Sequence, residues 1–119
     1  MQTKLKNDIA KNWKYDSEKK AYISNYQFLN NLDSLYGVCL HGKDTLFIIK
    51  HFGNKYKITL DKKRNEYNMD FHVVVTTPGV GAGRFFFVLD DKYKVKVSYC
   101  VFIDSNFGTH SDSTPLIDK

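Results

Sequence analysis

Cysteine is scarce in this chain of 119 residues, and its two copies, Cys39 and Cys100, lie far apart. Neither a Cys-x-x-Cys nor a Cys/His pair at zinc spacing occurs, which argues against a structural metal. The expectation is two separate thiols, with one long-range disulfide as the alternative in an oxidising compartment. No apolar run approaches the roughly 20 residues of a membrane-spanning helix. The opening Met1-Gln2-Thr3-Lys4-Leu5-Lys6 lacks the apolar core of a signal peptide. That leaves export open, because a trimmed leader would leave the same start.

Glycine clusters in one place only, Thr77-Pro78-Gly79-Val80-Gly81-Ala82-Gly83. A phosphate cradle needs a helix behind it, whereas a strand-like run follows here. The segment therefore reads as a hairpin loop, or as a partner-contacting loop anchored by Arg84. The four histidines, His41, His51, His72 and His110, show no helical zinc spacing. No metal and no cofactor are expected. A catalytic reading would need Cys100, His72 and Asp70 to cluster on one sheet face, as in a small Cys/His enzyme or toxin-like effector. The sequence offers no oxyanion donors to complete such a site.

Aromatic residues are abundant, at 15%, with nine Phe and eight Tyr. They favour strands and half-wet surfaces. The formal charge of +5 is spread along the chain and interrupted by Asp, so it reads as a solvated surface. Nucleic acid is not an expected partner, because no compact basic patch or motif accompanies the charge; weak binding to nucleic acid or an anionic membrane surface is the alternative.

The apolar pattern divides the chain in two. Leu5, Ile9 and Trp13 share one helical face. Residues 14–20 are polar and turn-like, and Tyr22-Ile23 is a brief apolar pair. Ser24 and Asn25 are good N-cap residues for a helix from about Asn25 to Tyr36, with Gly37 as its stop. Val38 to His41 reads as a connector. Gly42 to Gly53 then reads as a short amphipathic helix, with Asp44 near its start and Lys50 and His51 in its last turn. Its apolar stripe is Leu46, Ile49 and Phe52, widened by Phe47 and Ile48.

Beyond Gly53 the period becomes two. Tyr56, Ile58 and Leu60 mark a short strand, and Tyr67, Met69, Phe71, Val73 and Val75 mark a long one. Phe85, Phe87 and Leu89 precede a turn at Asp90-Asp91-Lys92. The last strand places Tyr93, Val95, Val97, Tyr99, Val101 and Ile103 inward, and Lys94, Lys96, Ser98, Cys100 and Phe102 outward. The expected fold is α+β: two or three short N-terminal helices on one face of a three- to four-stranded antiparallel meander. Residues 1–104 form one domain, and 105–119 form a flexible tail rich in Ser, Asp and Thr.

Two short helices, the second ending in Phe52-Gly53, followed by an antiparallel meander, resemble the BamE/SmpA-OmlA family of small outer-membrane lipoprotein domains. The similarity rests on Gly42-Lys43-Asp44-Thr45-Leu46-Phe47-Ile48-Ile49-Lys50-His51-Phe52-Gly53. It extends to Tyr67–Val75 and to the Phe85–Val95 strand-turn-strand. Asn54-Lys55 stand where the family has a proline after Phe-Gly. The resemblance implies an envelope or periplasmic accessory protein that binds other proteins, attached to the membrane through a lipid anchor that this chain does not contain.

From the residues themselves, the expected function is a non-enzymatic protein-binding or structural module. Phe86, Val88, Cys100 and Phe102 are apolar on the outward strand faces, and such patches often mark interfaces. The candidate partner-binding residues are Arg84, Phe86, Lys94, Lys96 and Phe102.

Overall fold

Ten residues of near-continuous alternation make the strand on which the rest is assembled, Glu66–Val75. In the computed structural model, which describes residues 3–76 and 81–102, the elements follow in order. They are α1 (Thr3–Asn12), β1 (Lys14–Asp16), β2 (Ala21–Ser24), α2 (Tyr26–Ser34), α3 (Gly37–Leu40), α4 (Thr45–Phe52), β3 (Lys57–Asp61), β4 (Glu66–Val75), β5 (Gly81–Leu89) and β6 (Val95–Phe102). The expected flexible tail and most of the Gly-rich loop lie outside the described residues.

The α+β expectation holds: short, mostly N-terminal helices pack on a largely antiparallel sheet. Among the described residues that sheet has six strands rather than three or four, in the order β1-β2-β4-β5-β6 with β3 also paired to β4. One edge of β4 is shared. Its first half pairs antiparallel with β3, from Asp61↔Glu66 to Lys57↔Asp70. Its second half pairs in parallel with β2, from Tyr22↔Val73 to Ser24↔Val75. The polar stretch expected to be a plain turn is thus a hairpin. Asp16 Oδ1 accepts the Glu18 and Lys19 amides at its bend, at 2.9 and 3.2 Å.

Local chemistry starts the helices where expected. The Asn25 side chain accepts the Phe28 amide at 2.8 Å and caps α2. Asp44 accepts the Phe47 amide at 2.9 Å and caps α4. Each such cap typically stabilises by about 1 kcal/mol. Gly37, however, does not end α2 in a left-handed cap. It opens α3, so the expected connector is itself a helical turn. The stripe of α4 is also rotated: Ile48 and Phe52 are buried, while Leu46 is 72% exposed.

The helices bury the face of β4 and β5 that carries Met69, Phe71, Val73, Phe85, Phe87 and Leu89. Trp13 sits at the centre of this core. It stacks on Tyr22, with ring centroids 4.8 Å apart, and meets Phe52 and Phe71 edge-on. Its indole N–H donates to the Phe52 carbonyl at 2.8 Å, tying the end of α1 to the end of α4. Tyr36 donates its hydroxyl to Asp8. Burial first, then that bond and the carboxylate charge, push the Tyr36 phenol up to about 12.

Candidate protein-contact face

The side-chain directions in β6 are decided by an irregularity at its start. Leu89 pairs with Val95, but Val88 pairs with Val97, so Lys96 is an extra residue. A bulge of this kind shifts every later residue by one position and reverses its face. Two sets of bonds hold it. Asp90 closes the turn, its amide donating to the Lys94 carbonyl at 2.8 Å and its carboxylate accepting the Lys92 and Lys94 amides. These amide bonds hold the Asp90 carboxyl below its ordinary range. The α3–α4 loop takes the other side: Val95 donates to the Lys43 carbonyl and Gly42 donates to the Val95 carbonyl, both at 2.8 Å.

The outer face therefore differs from the expected one. Val97, Tyr99 and Val101, expected inside, lie outside. Ser98 and Cys100, expected outside, lie on the helix side. The outer rows read Asn68–Val88–Val97, Asp70–Phe86–Tyr99 and His72–Arg84–Val101. Phe86 stacks on Tyr99, with centroids 4.9 Å apart and planes 27° apart. Val97 is 51% exposed and Tyr99 40%. Nothing in the strict alternation of Lys94 to Val101 signals this change of face.

Of the residues singled out from sequence, Arg84 and Phe86 do sit on neighbouring rows of this face. Arg84 is ion-paired, its Nη1 lying 3.2 and 3.4 Å from the two Asp70 oxygens. Burial raises the Asp70 carboxyl above its ordinary range, opposed by Arg84 and Lys57. Lys96 reaches back from the bulge to pair with Glu66 at the rim. Lys94 lies apart from the patch, in the turn, where Asp44 forms an isolated bridge with it. The backbone of Phe102 pairs with Gly83; its side chain lies outside the described part.

The Cys/His arrangement does not form. Cys100 shares a row with Phe71 and Phe85 and packs against the core, whereas His72 is exposed on the opposite face. Burial pushes the Cys100 thiol up to about 12. Native protein at pH 8 is accordingly expected to leave Cys100 unalkylated by iodoacetamide, with modification only after denaturation, since the thiolate is the reactive form. Peptide mapping by mass spectrometry reads this directly, and rapid native labelling of Cys100 would contradict the placement.

Among the described residues, no group of three or more His, Cys, Asp or Glu is placed to hold a metal. No described helix is long and apolar enough to cross a membrane. A cleft of about 590 Å³ at the end of the sheet is lined by Tyr67, Tyr93, Leu89 and mainly charged groups. Two of those charges, Glu66 and Lys96, are already paired with each other. The chain matches no family model, no curated protein and no solved structure.

Proposed function

We propose that this chain is a non-enzymatic protein-binding module whose outer sheet face is the contact surface. The observation that carries the reading is the Phe86–Tyr99 stack beside exposed Val97, on a face that the described helices do not cover. Aromatic and aliphatic side chains gathered in this way favour a protein partner. The charges support the same choice over nucleic acid. Arg84 is neutralised by Asp70 and Lys96 by Glu66, so the face is not a basic surface for phosphates. The narrower role of an envelope accessory comes only from the family resemblance of Gly42–Gly53, Tyr67–Val75 and Phe85–Val95.

A photo-crosslinking residue placed at Val97 in the native host is expected to give a discrete protein adduct, and the same residue at Glu18 is not. Phe86→Ala should reduce the adduct while leaving the circular-dichroism spectrum intact. Equal labelling from both positions would remove the proposal. So would unfolding of Phe86→Ala, because that would make Phe86 a core residue rather than a contact.

A further inference from the structure

Among the described residues, β6 is a free edge of the sheet, and a groove runs beside it. One part, about 350 Å³, lies between Tyr26, Leu29, Asn30 and Asp33 of α2 and the strand residues Ser98 to Cys100. A second part, about 240 Å³, lies between Asp33, α3 and Val95 to Ser98. Asp33 and Ser98 line both, so the two parts are continuous along the edge.

Three features define what the groove recognises. The edge already accepts a backbone partner at Val95, where the Gly42–Lys43 segment makes its two hydrogen bonds. Beyond Val95 an edge strand offers N–H and C=O groups at alternate residues, a spacing matched by an extended peptide. The rim is apolar, with Val38 93% exposed on one side and Val97 on the other. Asp33 is an exposed carboxylate with no ion-pair partner among the described residues, placed where both parts of the groove meet.

We propose that this groove takes an extended segment of a partner protein, added to the sheet as a strand beside β6. Its apolar side chains lie over Val38 and Val97, and a lysine or arginine faces Asp33. Strand addition draws affinity from the main chain and specificity from alternate side chains. The inference rests on the protein-binding reading and names the form of the partner. The segment facing residues 97–101 spans five residues, about 17 Å of extended chain.

The test uses the full chain labelled with ¹⁵N and two capped seven-residue peptides of alternating valine and threonine. One carries a central lysine, the other a glutamate in its place. The lysine peptide is expected to shift the amides of residues 97–101 and slow the exchange of those facing the groove by about tenfold or more at saturation. It should bind about fivefold more tightly than the glutamate peptide, and Asp33→Lys should reverse that order. Three outcomes overturn the inference. Edge amides protected in the dilute free chain would mean that the chain covers its own edge. Protection that grows with chain concentration alone would mean that a second copy occupies it. Peptide shifts absent from residues 97–101 would mean that no strand is added. Shifts confined to Arg84 and Phe86 of β5 would likewise overturn the inference while leaving the protein-binding reading standing, and loss of the Val97 adduct would remove that reading separately.

Discussion

Gly53→Ala is expected to lower the unfolding free energy by about 3 kcal/mol or more, through backbone strain and steric conflict together. Gly53 ends α4 at φ 96° and ψ 173°, a region that is essentially reserved for glycine. A Cβ there would stand 2.2 Å from the Tyr22 hydroxyl oxygen. Tyr22 has little room to retreat. Its ring is stacked on Trp13 and its hydroxyl accepts the Lys55 amide at 3.2 Å. Urea denaturation measures the loss. Gly42→Ala separates the two causes, because Gly42 also has a positive φ, 84°, but open space where its Cβ would lie. That variant should lose only about 1–2 kcal/mol. Equal losses at both positions would show that the contact with Tyr22 contributes nothing.

Trp13→Ala is expected to cost about 3–5 kcal/mol, the usual range for deleting a large buried aromatic. A domain of ordinary stability, about 5–15 kcal/mol, would lose a large share of its margin. Trp13 touches β2, α4, β4 and β5 through the rings of Tyr22, Phe52, Phe71 and Phe85. Its removal therefore opens a cavity where four elements meet. Trp13→Phe keeps most of the ring contacts and loses the bond to the Phe52 carbonyl. That change should cost about 1–3 kcal/mol, the penalty of leaving a buried acceptor unpaired. Thermal melts followed by far-ultraviolet circular dichroism compare the two. A Trp13→Ala protein as stable as the parent would mean that the N-terminal segment is not part of the core.

Together these two sites explain how the N-terminal third is fastened to the sheet. The indole bond reaches α4 just before Gly53, and the Tyr22 hydroxyl bonds the chain just after it. The turn out of α4 is thus held from both sides, and β3 starts two residues beyond Lys55. The core so formed leaves β6 with its inner face against α2 and α3 and its outer face uncovered by the described helices. The proposed contact face and edge groove both depend on that arrangement.

Much of this was legible in the residues. Asn25 and Asp44 start their helices because each side chain bonds an amide only three residues ahead, a contact that needs no other part of the chain. The alternation in β4 and β5 correctly placed Met69, Phe71, Val73, Phe85, Phe87 and Leu89 in the core, because both strands keep an unbroken register with each other. Arg84 and Phe86 were found on the outer face for the same reason. The strands β1 and β2 were not recognised, since three and four residues are too few to establish a period.

What the sequence determined by itself, then, was the α+β class, the starts of α2 and α4, and the two faces of the central strands. The tertiary structure alone decided that β2 runs parallel to β4, that α4 buries Ile48 rather than Leu46 beside the expected Phe52, and that β6 shows Val97 and Tyr99 to the outside. Each of these depends on which distant segment bonds a backbone group or fills a core position in the folded chain. At β6 the deciding contacts join Val95 to Gly42 and Lys43, more than fifty residues earlier, and periodicity along one strand carries no record of them.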